Sequence, residues 1–176
     1  MATTCDNKSV GLIIEDERGR MAVIFKRNYP KSYAFIAGHV DGIDVKEAAR
    51  KETLEEGGLT LGRFVEVFHE NLSNPCKRSG GTRHNWTVYE TYDWDGEFRA
   101  SSDAKEARWM EPQEFKKIVA RTEYFMKKLA VRWDNIDELT RAIFGDPATP
   151  RTDPEWEQDP GLEPVWYYIL KRLGKI

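Results

Sequence analysis

Three glutamates, Glu52, Glu55 and Glu56, fall within five positions of the stretch KETLEEGG at residues 51 to 58. On a helix, positions i, i+3 and i+4 share a face, so these carboxylates converge on one edge. They also occupy the last helical turns, where the helix dipole disfavours anions. Two arrangements relieve the repulsion. One is a solvated acidic face, softened by water and by Lys51 and Arg50. The other is a divalent cation. Carboxylate oxygens are hard ligands suited to Mg²⁺ or Mn²⁺, and Mg²⁺ usually takes one or two carboxylates together with substrate phosphates and water.

The helix that carries this edge has both ends marked. Asp44 is an N-cap with Glu47 at capping-box spacing, and Gly57 and Gly58 supply the stop. Ahead of it, SVGLIIED reads as a strand, Asp16 to Gly19 as a turn, and RMAVIFKR as the second arm of a hairpin. NYPKSY breaks the pattern, and AFIAGHV is a further short strand ending on Gly38. After the helix, FVEVFHENL alternates like a strand, SNPCKRSGGTRH is a loop by composition, and NWTVYETYD is a strand. WDGE reads as a turn and EARWM as a short strand. From Pro112 the pattern is helical, first to Trp133 and then over NIDELTRAIF. GDPATPRTDPEWEQDPGLEP reads as an irregular surface segment or disordered linker, and VWYYILKRLG as a last short helix. Strands around one central helix, followed by helices, indicate an α+β or α/β sandwich. The expected organisation is a domain over 1–144, an irregular segment over 145–164, and a terminal helix over 165–176 packing on the same domain or on a dimer mate.

The stretch AGHVDGIDVKEAARKETLEEGGL, residues 37 to 59, resembles the Nudix box. That pattern is a glycine, five residues, a glutamate, seven residues, then Arg-Glu-aliphatic-x-Glu-Glu-x-Gly-aliphatic. Lys51 stands at the arginine position and Thr53 at the first aliphatic one. A lysine keeps the charge but loses the planar fork of arginine. Arg50 points about 100° away on a helix and does not replace it. Counted without a gap, the leading glycine falls on Ala37 and the early glutamate on Ile43. With a one-residue gap, Gly38 and Asp44 take those places, and this version is preferred because Gly38 follows a strand. The resemblance implies a Nudix-type α/β/α sandwich over roughly residues 8 to 130, with a mixed sheet, a central catalytic helix, and a C-terminal helical extension outside the family pattern.

The resemblance also implies an activity: divalent-metal-dependent hydrolysis of a nucleoside diphosphate linked to another group. ADP-ribose, a dinucleotide or a nucleotide sugar come before a nucleoside triphosphate. The alternative is a non-catalytic Nudix-type module that binds a nucleotide. By resemblance Glu55 and Glu56 bind Mg²⁺ or Mn²⁺, Glu52 binds metal or activates water, the Gly38 carbonyl is a further ligand, and Lys51 does the orienting work of the family arginine. A general base within reach of the water is still needed. Glu106 is the first candidate, with Asp103 behind it, and an ordinary exposed acid is the plain alternative. Arg27 sits where relatives place a phosphate-binding arginine. Lys77, Arg78, Arg83 and His84 lie on or beside a glycine-containing loop that suits a lid over phosphates, or a solvated hairpin loop. Tyr33, Phe35 and Trp86 can stack on a base or belong to the core. Pro75 falls near the position of a proline that marks ADP-ribose-cleaving members.

Composition narrows the classes further. The chain of 176 residues is long enough for one domain with a full core, and its net charge of −3 argues against a non-specific nucleic-acid binder. The N-terminus has neither a basic nor an apolar leader region, and no apolar run approaches a membrane span. Cys5 and Cys76 form no Cys-x-x-Cys pair, so neither a disulfide framework nor a zinc site is expected, and a reducing, cytoplasmic setting is the default. His39, His69 and His84 show no metal-ligand spacing; His39 is placed to line the site and His69 to be structural. The expected partner is a small nucleotide, with a homodimer in keeping with the family.

Overall fold

The computed structural model describes residues 4–101 and 106–176. Strand β1 (Lys8–Ile14) runs through the middle of the molecule and is buried from Ser9 onward. Its side chains alternate, as a pleated strand requires. Val10, Leu12 and Ile14 enter one core, and Ile13 enters the other. Gly11 lies beneath Trp166, where a Cβ would come within 2.5 Å of the indole ring, so the glycine lets the ring lie on the sheet.

The chain continues through β2 (Met21–Lys26), β3 (Ser32–Ala34), β4 (Ile36–His39), α1 (Val45–Gly57), β5 (Leu59–Leu61), β6 (Val65–Ser73), β7 (Arg83–Thr91), β8 (Trp94–Gly96) and β9 (Glu106–Met110). Helices α2 (Pro112–Lys128) and α3 (Ile136–Phe144) follow, then the short pair β10 (Gly145–Asp146) and β11 (Thr149–Pro150), then α4 (Pro154–Gln158) and α5 (Pro164–Arg172). One sheet has the order β4-β1-β7-β6 and is mixed: β1 is antiparallel to β4 but parallel to β7. A second, antiparallel sheet has the order β3-β2-β9, and β5 pairs with β8. Helix α1 closes one core through Ala48 and Ala49, while α2, α3 and α5 close the other, giving the expected α/β/α layering with a helical C-terminal extension.

Several expectations need correction. β1 and β2 do not form a hairpin. Both edges of β1 are taken by β4 and β7, so β2 leaves for the second sheet after a single bridge between Glu15 and Met21. The turn itself is as expected, with Gly19 N–H donating to the Asp16 carbonyl at 3.0 Å. WDGE is not a free turn: Trp94–Gly96 is strand β8, and Trp94 stacks on Trp109 with centroids 4.7 Å apart. NYPKSY ends in β3 rather than only breaking the chain. The proline-rich segment keeps an exposed face at 146–151 and 157–159, but it is anchored to the core and is not a disordered linker. Trp156 and Leu162 are fully buried, and the Trp156 indole N–H donates to the Lys31 carbonyl at 2.7 Å. The tail aromatics pack on the chain's own core, with Trp166 meeting Trp86 and Phe35 edge-on.

Candidate active site

Helix α1 begins and ends where its sequence says it should. The Asp44 carboxylate accepts from the N–H groups of Lys46 and Glu47, and Gly58 takes the left-handed conformation at φ 71° as the C-cap. Its buried stripe is made of small residues, Ala48, Ala49, Thr53 and Gly57. Thr53, in place of an aliphatic residue, satisfies its hydroxyl by donating to the Ala49 carbonyl at 2.7 Å. A Cβ on Gly57 would fall 2.7 Å from Ile36, so small residues are what let the helix settle onto β4.

That close approach places the glutamates. Glu52 and Glu56 are half-buried and flank the stripe, while Glu55 is exposed on the outer side. The Glu52 carboxylate lies directly over Gly38: a Cβ there would sit 2.0 Å from its Cδ. The Ala37 N–H donates to Glu56 Oε2 at 3.4 Å. Two of the three carboxylates therefore converge on the last residues of β4, beside the Gly38 backbone. An oxygen-rich donor set of this kind suits a hard divalent cation. Asp44 as N-cap and Gly38 under Glu52 both match the gapped reading of the box.

Arg50 does not reach the cluster; its guanidinium lies over the Phe64 ring, 4.6 Å from the centroid. Lys51 is exposed. Its charge is felt at Asp41, whose carboxyl is held below the ordinary range first by the hydrogen bond from Arg78 and to a lesser degree by His39 and Lys51.

Next to Gly38, His39 lines a cleft of about 550 Å³ together with Lys26, Arg27, Asn28, Tyr29, Pro75, Cys76, Lys77 and Arg78. The cleft thus gathers Arg27, Lys77 and Arg78 from two distant segments. Arg27 pairs with Glu106 across β2 and β9 at 2.5 Å, and both side chains are more than half exposed. Arg78 forks onto both oxygens of Asp41, and Lys26 pairs with the buried Glu163 at 2.8 Å.

Other expected substrate residues lie elsewhere. Arg83 is bound to both oxygens of Asp137 at 2.6 Å and to the Asn71 side chain at 2.9 Å, tying β6 and β7 to α3. Trp86 is 2% exposed between Gly11 and Trp166, so it has no face to offer a base. Phe35 is likewise in the core. Tyr33 packs on Phe25 and lines a separate hollow of about 490 Å³ with Arg108 and Arg121. Asp103 lies outside the described residues. His69 is exposed on β6, with its ring 3.1 Å from the Thr87 hydroxyl.

Spacing alone predicts no zinc site from the two cysteines and no ligand set from the histidines. The fold instead brings Cys5, His39, Cys76 and His84 together, with their donor atoms within 4.8 Å of one another. No spacing in the chain announces this, because the four residues come from four segments. Burial pushes the His39 imidazole down, and burial followed by the neighbouring His39 pushes His84 down to about 4, while burial raises the Cys76 thiol.

The NUDIX domain profile matches residues 6–129 of this chain. No curated protein matches the sequence. Among solved structures, a NUDIX hydrolase from Nitrosomonas europaea is 21% identical at a TM-score of 0.52, with 70% of this chain and 86% of that one aligned. MutT NUDIX hydrolase from Burkholderia pseudomallei is 20% identical at a TM-score of 0.51, over 62% of this chain and 84% of that one. A protein described as an ADP compounds hydrolase is 15% identical at a TM-score of 0.50, over 66% of this chain and 63% of that one. At these identities the solved structures share the fold.

Proposed function

The chain belongs to the NUDIX family, and on that premise we propose that it is a pyrophosphohydrolase that cuts the pyrophosphate bond of a nucleoside diphosphate linked to a second group. ADP-ribose, a dinucleotide or a nucleotide sugar stand ahead of a nucleoside triphosphate. The observation that carries this reading is the convergence of Glu52 and Glu56 on the Gly38 backbone, with Arg27, Lys77 and Arg78 gathered in the cleft lined by the next residue, His39. Its volume of about 550 Å³ falls in the range of small-molecule sites. Pro75, the residue near the ADP-ribose marker position, lines the same cleft.

Glu52, Glu55, Glu56 and the Gly38 carbonyl would hold the divalent ion, Mg²⁺ or Mn²⁺. When bound, such an ion neutralises phosphate oxygens and makes water a nucleophile near neutral pH. The chain's own residues do the rest. Arg27, Lys77 and Arg78 bind and orient the anionic diphosphate, for which guanidinium forks are suited. The Arg27–Glu106 pair is exposed, and exposed pairs are worth only about 0–1 kcal/mol. A phosphate therefore competes well for Arg27, and Glu106, relieved of its partner, becomes a carboxylate able to accept the proton of the attacking water. Lys51 supplies positive charge at the family arginine position.

The test is a panel of nucleotide diphosphate derivatives with Mg²⁺ and Mn²⁺, following release of nucleoside monophosphate or phosphate. Turnover of a linked diphosphate is the expected result. In that assay Arg27→Ala should raise KM and Glu106→Gln should lower kcat. Tight nucleotide binding with no turnover of any member would replace this reading with a nucleotide-binding module.

A further inference from the structure

We propose that the chain holds one structural zinc ion, separate from the glutamate edge, through Cys5, His39, Cys76 and His84. The two sulfurs are 3.8 Å apart, Cys5 Sγ is 3.3 Å from His84 Nε2, and Cys76 Sγ is 3.5 Å from His39 Nε2. Tetrahedral zinc has bonds of about 2.3 Å to sulfur and about 2.0–2.1 Å to nitrogen. Those bonds place two sulfurs about 3.8 Å apart and a sulfur about 3.5 Å from a nitrogen. The three contacts above come close to those edges, and all four donors lie within 4.8 Å of one another.

The surroundings are those of a built site. Each sulfur accepts a backbone N–H from the residue two positions on, Asn7 to Cys5 and Arg78 to Cys76, both at 3.3 Å. Hydrogen bonds of this kind support a thiolate. The Ser9 hydroxyl sits 2.6 Å from His84 Nδ1, which orients the ring and turns Nε2 toward the sulfurs. Cys5, Ser9 and His84 are all buried. Gly81 closes the site: a Cβ there would fall 2.5 Å from Cys76 Sγ and 3.2 Å from Cys5 Sγ.

Simpler explanations fit less well. A disulfide needs sulfurs about 2.0 Å apart and leaves two imidazoles aimed at it for no reason. Thiols are weak hydrogen-bond partners for buried histidines. Thiolate and imidazole donors favour zinc, whereas the carboxylate edge favours a hard ion, so ligand chemistry would sort two metals between two sites. With four protein ligands the zinc site is closed and therefore structural. It would staple the N-terminal segment, the end of β4, the 74–82 loop and the start of β7. His39 follows Gly38, and Cys76 precedes Lys77 and Arg78, so the staple would set the glycine and the cleft cations relative to each other.

The test begins with the full chain expressed with added zinc and purified under reducing conditions without chelator. Elemental analysis should find about one zinc per chain. Exchange with Co²⁺ should give the visible bands of a tetrahedral ion together with thiolate-to-cobalt charge transfer. Cys76→Ser and His84→Ala should each lower zinc content at least tenfold, while a Glu55→Gln, Glu56→Gln double variant keeps it. The cobalt spectrum of the unaltered chain decides the matter even where a variant does not fold. The proposal is overturned by wild-type protein with neither zinc nor a thiolate–cobalt transition. It is also overturned by a Cys5–Cys76 disulfide in the reduced preparation, or by zinc that leaves with the glutamates and stays in Cys76→Ser. None of these outcomes depends on catalytic turnover, so failure here leaves the hydrolase reading standing, and the reverse.

Discussion

Replacing Gly38 by alanine is the sharpest perturbation of the glutamate edge. The added Cβ would stand 2.0 Å from Glu52 Cδ, with both carboxylate oxygens within 2.4 Å. Carbon atoms pack at about 3.5–4.0 Å, so the carboxylate must retreat by about 1.5 Å. A misplacement of about 1 Å in a reacting constellation can cost on the order of 10²-fold in rate, equivalent to about 2.7 kcal/mol of barrier. Ligand positions around Mg²⁺ tolerate little drift, because its bonds of about 2.0–2.1 Å are short and its octahedron is strict. The fold should hardly notice. Glu52 is a half-buried, flexible side chain that can swing outward, so a loss under about 1 kcal/mol, or roughly 2–4 °C in Tm, is expected. The assay pairs initial rates on the substrate found in the nucleotide panel with a calorimetric Mn²⁺ titration. Gly38→Ala should lose about 10²-fold in kcat and bind Mn²⁺ at least tenfold more weakly, on the order of 1.4 kcal/mol. Unchanged rate and unchanged Mn²⁺ affinity would refute the placement of the metal between Glu52 and the Gly38 backbone.

Other variants probe neighbouring links. Glu56→Gln should lower kcat by on the order of 10²–10⁴ with near-native urea stability; native kinetics would remove Glu56 from the ligand set. Lys51→Arg should keep or raise kcat/KM, and a collapse on that swap would mean that the lysine does something other than the family arginine's job. Gly11→Ala drives a methyl to within 2.5 Å of the Trp166 ring, and urea melts should show a loss of about 1–3 kcal/mol from overpacking. Trp156→Ala should cost about 3–5 kcal/mol, because the indole is fully buried; a stability change below 1 kcal/mol would show that the 145–164 segment is not part of the fold.

What could be read from the chain alone follows short-range geometry. The Asp44 cap, the Gly58 stop and the half-buried placing of Glu52 and Glu56, with Glu55 turned outward, depend on residues within one helix, where spacing sets direction. The strand EARWM was legible for the same reason. The box pattern added a role to each glutamate, and Gly38, one strand away, came with it.

Contacts between distant segments were decided only by the folded chain. The two edges of β1 were claimed by β4 and β7, so a plausible hairpin became a crossing between sheets. Trp86 looked able to stack on a base until Trp166, from the last helix, covered it. Arg27 and Glu106 were separate candidates that turned out to be each other's partner across 79 residues. The Cys5, His39, Cys76 and His84 cluster is the clearest case. Its contacting pairs lie 37, 71 and 79 positions apart along the chain, and no local period links them. Helical spacing fixes an angle within a few residues, but a four-cornered cluster drawn from four strands and loops exists only once the sheets have formed and the backbone has closed over it.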